Sequence, residues 1–311
     1  MSSVSGGRWL TSKEAARLLG VSEASIKRWA NSGLLSSEKT AGGHRRFRPE
    51  DVAVFRRGRA NGTERRTTVT VVQLQERRKV VSGATGGGNV SYQVLFEALV
   101  EGRAEEASAM LVNAYLHGHN LASLFDEVLS RAMHRVGELW YEGKLSVAQE
   151  HVATRTVLSA IQRLRGVIDV AEENGLLAIC CGGEDDFHEL SVHCTQVLLE
   201  SEGWRVINLG PNTPFFALAE ATKGSSPQLV CVSATILYNL DRAVHEYKEF
   251  REVAQSKGTA IVLGGTGFSD DSIRKRFPAE LHADTFQHLM IYAIALASEA
   301  QKAQADVTGP G

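Results

Sequence analysis

Short apolar runs alternate with longer amphipathic stretches between residues 176 and 304. The apolar runs have the length of buried strands, and the stretches between them have the period of helices. This alternation predicts a βαβ array with a parallel sheet of the Rossmann-like (flavodoxin-like) class. The expected strands are Leu176–Cys181, Arg205–Leu209, Leu229–Ser233, Thr259–Leu263 and a weak one at Ala283 and Asp284, and the expected helices are Glu189–Glu202, Pro214–Lys223, Leu240–Lys257, Asp271–Phe277 and Phe286–Gln304.

Four amphipathic stretches precede this array, between residues 90 and 174. The loops between them are short and contain Gly102, Gly118 and Gly143. Short loops between amphipathic helices predict an antiparallel four-helix bundle. The expected helices are Tyr92–Glu101, Ala104–His117, Leu121–Trp140 and Ser146–Ala171.

Two short helices are expected near the N-terminus, in a segment that covers residues 8–79. The first begins with a capping box, in which Thr11 is followed three residues later by Glu14, and it ends at Gly20. The second covers Glu23–Ser32, so the pair forms a helix-turn-helix. Such a second helix enters a groove of DNA, toward which it would project Ser25, Lys27, Arg28 and Asn31.

A basic hairpin is expected next, within Thr40–Phe47. Its tip and return strand carry His44, Arg45 and Arg46, which would lie against phosphates and so position the protein on DNA.

The charge of the chain is unevenly distributed, although its net value is only -2. Residues 1–79 carry 17 Lys and Arg against 7 Asp and Glu, whereas the remainder carries 17 against 29. A basic segment joined to an acidic body points to a polyanion as the partner of the first part only.

The remaining segments suggest connections and a cytoplasmic protein. Val69–Val81 is ambiguous between helix and strand, residues 80–89 predict a flexible linker, and residues 305–311 predict a disordered tail. No apolar run is long enough to span a bilayer, and no leader pattern is present, so no membrane partner is expected. None of the cysteines forms a Cys-x-x-Cys pair, which favours reduced buried thiols: Cys180, Cys181, Cys194 and Cys231.

Unusual residues fall at the carboxyl ends of the predicted strands, where parallel sheets of this type bind ligands. His188 lies in the loop after the first strand, and the carboxylate of Asp186 beside it can fix its tautomer. No Gly-x-Gly-x-x-Gly follows this strand, which disfavours a dinucleotide. Glycine at the other ends permits either close approach of a ligand or a tight turn. The residues there are Ser233, Thr235, Gly264 and Gly265.

A second group of candidate residues lies where the third bundle helix meets the fourth. Val147, Glu150 and His151 are three and four residues apart, so they share one helix face. Gly143 would return the chain so that Trp140 lies over that face. Taken alone, a tryptophan and a histidine beside a loop more often serve packing and the surface.

The N-terminal segment resembles the winged helix-turn-helix of MerR-family transcription regulators. The resemblance rests on Ser-Lys-Glu-Ala-Ala at residues 12–16, on Ser22–Trp29 with its Ile-Lys-Arg-Trp end, and on Gly-His-Arg-Arg-Phe at residues 43–47. It implies binding to double-stranded promoter DNA.

The C-terminal array resembles the cobalamin-binding Rossmann-type domain, in its Asp-x-His-x-x-small, Ser-x-x and Gly-Gly motifs. The resemblance implies that His188 coordinates cobalt from below, while the dimethylbenzimidazole tail inserts near the serine and the glycines. The chain departs from the family pattern at Ser191, where the family has glycine, and at Thr235, where it has leucine. A hydroxymethyl group at Ser191 would crowd the corrin or its tail.

The two parts together, with the bundle between them, resemble CarH-type light-sensing repressors. The resemblance implies that Trp140, Val147 and Glu150 pack around an upper 5′-deoxyadenosyl group, and that His151 is the candidate upper cobalt ligand after photolysis. It implies an adenosylcobalamin-stabilised homotetramer that binds promoter DNA as a repressor and separates in light.

Two alternatives stay open. The first is a regulator of the same architecture that uses another tetrapyrrole, such as a bilin or haem, or no ligand. The second is a corrinoid methyl-transfer component, which is disfavoured because the chain lacks a substrate-holding barrel and carries a basic helix-turn-helix. The protein is therefore not expected to be an enzyme.

Overall fold

The computed structural model describes residues 9–19, 23–31, 35–40, 44–49, 51, 52, 55 and 90–308. These residues belong to two units. The first comprises the described part of Met1–Gly86 together with Gly137–Glu150, and the second comprises the described part of Gly87–Val136 and His151–Gly311. The predicted linker at residues 80–89, Val69–Val81, the turn at residues 20–22 and the hairpin tip at residues 41–43 lie outside the described residues.

The N-terminal elements of the first unit are a helix pair and a small sheet. They are β1 (Leu10–Thr11), α1 (Ser12–Leu19), α2 (Glu23–Asn31), β2 (Glu38–Lys39) and β3 (Arg45–Phe47). Strand β3 pairs with β2 to form the expected hairpin, and it pairs on its other side with β1, which the sequence pattern did not predict.

The predicted capping box at the start of α1 is present. The backbone N–H of Thr11 donates to Oε2 of Glu14 at 2.8 Å, and the N–H of Glu14 donates to Oγ1 of Thr11 at 3.2 Å. Because each residue satisfies the other's free amide, the helix start is fixed locally. Helices α1 and α2 bury an apolar core against β3, with its members Ala15, Ala16, Ile26, Trp29, Leu35, Phe47 and Val52.

The middle of the chain is helical, as predicted. Its helices are α3 (Tyr92–Val100), α4 (Ala104–Leu116), α5 (Leu121–Ser123), α6 (Arg131–Tyr141) and α7 (Val147–Arg165). The third predicted helix differs from expectation, because Leu124–Ser130 forms a π-helical segment between α5 and α6. Helix α7 ends at Arg165, six residues before the predicted Ala171, and the next residue is Gly166, which is a poor helix former.

The C-terminal array forms a five-stranded parallel sheet in the order β5-β4-β6-β7-β8. Its elements are β4 (Leu177–Gly183), α8 (Leu190–Ser201), β5 (Arg205–Thr213), α9 (Phe215–Ser225), β6 (Leu229–Ser233), α10 (Leu240–Lys257), β7 (Ala260–Gly264), α11 (Asp271–Arg276), β8 (Leu281–Ala283) and α12 (Phe286–Thr308). This is the expected doubly wound order, whose switch point lies between β4 and β6. Helix α12 continues to Thr308, so the first four residues of the predicted tail are helical.

Both faces of the sheet are covered by apolar cores. One core contains the rings of Phe215, Tyr247, Phe250 and Phe277, which contact one another at centroid distances of 5.1 to 6.1 Å. The other core lies under α8 and α12, with members that include Val192, Leu199, Trp204, Leu289 and Ala293. Strand β4 is buried along its whole length, because it lies between these layers.

The four cysteines are free and buried in this domain. Burial raises the pKa of the Cys181 thiol to about 12, and it raises the pKa values of the other three as well. The expected reduced, buried thiols are therefore present. Among the described helices, none combines the length and hydropathy that a bilayer crossing requires.

A carboxylate from the π-helical segment caps the last helix. Asp126 accepts hydrogen bonds from the backbone N–H groups of Phe286 at 2.8 Å and Gln287 at 3.0 Å. The rings of Phe125 and Phe286 meet edge to face at 5.6 Å beside this cap. The bundle is thereby attached to the N-terminus of α12, where a negative charge also opposes the positive end of the helix dipole.

Replacement of Asp126 by alanine should lower the free energy of unfolding by about 1–2 kcal/mol, because two amides of α12 lose their acceptor. The change in urea midpoint measures this effect. Glu127→Ala is the matched control, since Glu127 is the exposed neighbour of Asp126. Equal midpoints for the two variants would contradict a capping role for Asp126.

Candidate functional site

The loops that follow β4 and β6 lie side by side at the switch point of the sheet. Strands β4 and β6 pair in parallel, with Gly182 opposite Ser233. The loop after β4 carries Asp186 and His188, and the loop after β6 carries Thr235. The sheet therefore brings together the residues that the sequence pattern placed at these two strand ends.

The carboxylate of Asp186 is the centre of this edge. Its Oδ1 lies 2.5 Å from Nδ1 of His188 and accepts the backbone N–H of His188 at 3.0 Å. Its Oδ2 accepts the backbone N–H of Thr235, and that of Ile236 at 3.4 Å. Asp186 is only 2% exposed, so its function in this structure is to position the two loops rather than to face a ligand.

The pKa of Asp186 is lowered, despite its burial. Burial by itself raises this pKa, but the hydrogen bonds from the His188 side chain and from the backbone N–H groups of His188 and Thr235 favour the ionised form more strongly. The ionised carboxylate therefore holds Nδ1 of His188 as a donor, which leaves Nε2 as the nitrogen with a free lone pair.

The imidazole of His188 is available to a ligand. The side chain is 56% exposed, and its Nε2 has no hydrogen-bond partner among the described residues. Phe187 and Tyr238, in the same two loops, are 70% and 40% exposed and offer apolar surface nearby in the chain. One oriented imidazole beside apolar side chains fits a flat metal macrocycle, to which it would contribute a single axial ligand.

The loop that carries His188 is also held by contacts that the sequence did not predict. Arg242 at the start of α10 contacts Glu184 at 2.9 Å. The side chain of Asn212 accepts the N–H of Asp185 at 2.8 Å, and the N–H of Asn212 donates to the carbonyl of Asp186 at 2.9 Å. These partners are distant in sequence, since Asp185 and Asn212 alone are 27 residues apart, so no local pattern indicates them.

Ser191 and Ser233 form a direct hydrogen bond, with 2.7 Å between their hydroxyl oxygens. Ser191 lies in the first turn of α8 and Ser233 ends β6. The hydroxymethyl group at position 191 therefore closes the space between helix and strand, at the position where the family resemblance has glycine.

The glycines after β7 serve a tight turn. Gly265 has φ +89°, and a Cβ atom at this position would lie 2.4 Å from the carbonyl oxygen of Ala234. That oxygen accepts the N–H of Gly267 at 2.8 Å, and the N–H of Ala234 donates to Gly264 at 3.0 Å. The requirement for glycine at 265 is thus explained within the chain, by the approach of Ala234.

The residues expected above the macrocycle fall on helices α6 and α7. Trp140 is in the last turn of α6, and Val147, Glu150 and His151 are in the first two turns of α7. Gly143, with φ +74°, closes the turn between the helices through its N–H, which donates to the carbonyl of Trp140 at 3.0 Å. Trp140, Val147 and Glu150 belong to the first unit and His151 to the second, and their approach to His188 stays a prediction.

Helix α7 contacts α8 through polar groups within the second unit. Arg165 forms two hydrogen bonds with the carboxylate of Glu200, at 2.6 and 2.7 Å. Gln162 lies 3.4 Å from His193, and Arg155 lies 3.6 Å from Glu189. These polar contacts accompany apolar side chains of the two helices that are also buried, which include Ile161, Leu164 and Val197.

A groove in the first unit collects several of the residues expected to contact DNA. It has a volume of about 620 Å³, and its lining includes Lys27, His44, Arg45 and Arg46. Lys13, in the first turn of α1, also lines it and was not singled out from the sequence. The side chains of Ser25, Arg28 and Asn31 lie outside the described residues. A helix and a basic strand that share one groove provide the positive surface that a phosphate backbone requires.

Two family models match the chain. A model described as a helix-turn-helix domain matches residues 9–60, and a model described as a B12 binding domain matches residues 92–165. The first covers the predicted DNA-binding segment, and the second covers the helical bundle.

Curated relatives and a solved structure extend these matches. The chain is 27% identical to the HTH-type transcriptional repressor CarH of Myxococcus xanthus, over 81% of this chain and 87% of that relative. It is 21% identical to a trimethylamine corrinoid protein of Methanosarcina barkeri, over 56% of this chain and 82% of that relative. The structure of the monomethylamine corrinoid protein of Methanosarcina barkeri has a TM-score of 0.55 and is 17% identical, with 65% of this chain and 96% of that chain covered, and it shares the fold.

These comparisons confirm the resemblance to CarH-type regulators that the sequence motifs indicated. They support a cobalamin-binding transcription regulator with an N-terminal helix-turn-helix, a helical middle and a C-terminal parallel sheet. They favour a regulator over an enzyme, because a relative matched over 81% of this chain is a repressor.

Asp186 should make the stability of the protein depend on pH in the acidic range. Since the folded state lowers its pKa, the stabilisation is complete above the unfolded-state pKa of about 3.9 and is lost as pH falls through the lower folded-state value. Urea unfolding between about pH 2 and 6 should show a steeper loss for the native chain than for Asp186→Asn. Asp185→Asn is the matched control, because it changes the adjacent carboxylate and asparagine tolerates the left-handed backbone there. Identical pH profiles for the native chain and Asp186→Asn would contradict this assignment.

Proposed function

We propose that the protein is a light-responsive transcription repressor, which binds promoter DNA as an adenosylcobalamin-stabilised oligomer and releases it on illumination. The observation that carries the proposal is the Asp186–His188 pair at the switch point of the sheet. An imidazole whose Nδ1 is held by a buried carboxylate and whose side chain is 56% exposed suits a metal macrocycle presented from outside the sheet.

The residues that would hold adenosylcobalamin come from both sides. His188, positioned by Asp186, would supply a nitrogen ligand to cobalt, and the residues near the adjacent strand ends that would contact the cofactor are Ser191, Ser233, Thr235, Gly264 and Gly265. Trp140, Val147 and Glu150 would pack around the adenosyl group, and His151 is the candidate to reach cobalt after photolysis. When bound, adenosylcobalamin supplies a Co–C bond that green light breaks.

The response to light would depend on a difference in affinity. Cobalamin with its adenosyl group would favour one arrangement of the chain, and cobalamin without it would favour another. Trp140, Val147 and Glu150 would contact the adenosyl group, and these contacts would favour the arrangement that assembles a tetramer. A polar contact such as Arg165–Glu200 can be exchanged for water when those contacts are lost, and so it permits the bundle to shift.

DNA binding would depend on several copies acting together. Lys27, His44, Arg45 and Arg46 contribute mainly phosphate contacts, which are weak in one copy at physiological salt. Linking the copies in one oligomer raises the effective concentration of each further wing and so the avidity for a promoter. Separation of the oligomer in light would therefore free the promoter.

The decisive experiment compares spectra and promoter binding of the full chain, in the dark and after green light, with adenosylcobalamin added. We expect a corrinoid spectrum that changes on illumination, and promoter binding that requires the dark, loaded protein. His188→Ala should weaken retention of the corrinoid or alter its spectrum, because the axial imidazole is lost.

The matched control is His245→Ala, which removes an exposed histidine of α10 that lies outside the switch-point loops. It should behave as the native chain. Promoter binding that is indifferent to both adenosylcobalamin and light would overturn the proposal, and a bilin or haem spectrum would replace the corrinoid with another tetrapyrrole.

Ser191→Gly should bind cobalamin more tightly than the native chain, because it removes the hydroxymethyl group that closes the space beside Ser233. Titration followed by absorbance measures the affinity. Ser191→Ala separates the two contributions, since it removes the hydrogen bond but keeps a Cβ atom and the helix preference at α8. An affinity that is unchanged or lower in Ser191→Gly, at unchanged stability, would show that Ser191 does not obstruct the ligand.

A further inference from the structure

A second concave surface of the sheet domain lies between α10 and the last residues of α11, with Pro278 just beyond α11. This groove has a volume of about 690 Å³, and Val244, Tyr247 and Pro278 provide its uncharged lining together with Gln255. Its charged lining comes from four cations, Lys248, Arg251, Lys275 and Arg276, and one carboxylate, Glu252. None of these residues belongs to the loops that carry His188, Ser233 or Gly264.

Positive charge is concentrated in this groove, although the domain around it carries a net negative charge. Residues 176–304 carry ten Lys and Arg against sixteen Asp and Glu, and four of those ten cations line this one groove. Like charges that converge in a concave surface repel one another, and an anion bound between them relieves the repulsion. The charge distribution therefore selects for an anionic ligand.

Most of these cations lack a carboxylate partner. Among the described residues, no carboxylate oxygen forms an ion pair with Lys248, Arg251 or Lys275, whereas Arg276 contacts Asp241 at 2.6 Å. Asp241 is 97% exposed, so water can replace it at little cost. The groove thus retains donors for an oxyanion.

Arg251 provides the most specific observation. Its Nε is buried and has no hydrogen-bond partner within the described part of the chain. When the side-chain oxygen of Gln255 faces Arg251, it accepts hydrogen bonds from Nη1 and Nη2 at 3.2 and 3.3 Å. These two bonds hold the guanidinium in place. A buried guanidinium donor left without an acceptor costs free energy, so a small shift of this side chain that brings Nε to a bound oxyanion would be favourable.

We infer that this groove binds the phosphate groups of a small phosphorylated molecule, of the size of a pyrophosphate or a nucleoside phosphate. Guanidinium and ammonium groups together suit several phosphate oxygens, and the volume lies in the range of small-molecule sites. The inference is independent of cobalamin binding and of the DNA-binding segment.

Calorimetric titration of the full chain with pyrophosphate, at low ionic strength and in a phosphate-free buffer, tests the inference. We carry Arg46→Gln in every sample, because the basic strand β3 is a second place where an anion can bind. We expect saturable binding at one site that weakens as salt is added. Arg251→Gln and, separately, Lys275→Gln should each weaken it about tenfold or more, because each removes one charge-assisted contact.

Lys257→Gln is the matched control, because it removes the same charge from α10 at a position that does not line the groove. It should leave the affinity within about twofold of the parent, since only distant, screened charge is lost. Lys275 is exposed, so its variant keeps the test valid if Arg251→Gln fails to fold.

Three results would overturn the inference. The first is the absence of saturable binding of pyrophosphate. The second is an affinity for pyrophosphate that neither Arg251→Gln nor Lys275→Gln lowers, or that the control Lys257→Gln lowers as much as they do. The third is binding of a short non-operator duplex, but not of pyrophosphate, that depends on Lys275, which would assign the surface to a DNA backbone instead.

Discussion

The carboxylate of Asp186 is the interaction on which the carboxyl edge of the sheet depends. It is buried and ionised, and it is shared between the loop after β4 and the loop after β6. A charge in this position is tolerated because hydrogen bonds compensate for the lost hydration. The same bonds fix the ring of His188, so the orientation of an exposed side chain is set by a group that solvent does not reach.

The sheet domain supports this edge in two different ways. Aromatic and aliphatic cores on both faces hold the strands in register and give the domain its stability. The polar contacts of α7 with α8, and the Asp126 cap of α12, connect the bundle to the sheet domain with directional bonds instead. Directional bonds of this kind specify one arrangement of the two parts.

Much of the fold could be predicted from the sequence, because its signals are local. Alternating apolar runs and amphipathic stretches gave the strands and helices of the sheet domain, and the Thr11–Glu14 capping box marked the start of α1. What the pattern missed depends on distant partners. Strand β1 exists because it pairs with β3, and the π-helical segment leaves no trace in a periodic pattern of apolar residues.

The candidate site shows the same limit. The short spacing of Asp186 and His188 indicated their contact, whereas the bonds to Thr235, Asn212 and Arg242 arise from topology alone. Gly265 was recognised from the sequence as a notable glycine, but the sequence left open whether it serves a ligand or a turn. The structure explains the requirement for glycine, because the backbone of Ala234 lies against it.

The seclusion of the four thiols has a practical consequence. Alkylating reagents react with the thiolate form, and burial keeps Cys180, Cys181, Cys194 and Cys231 both protonated and out of reach. A single cysteine introduced on an exposed helix position would therefore be the preferred target of a maleimide dye. The folded chain thus offers a chemically silent background for fluorescent or spin labels, with every native cysteine left in place.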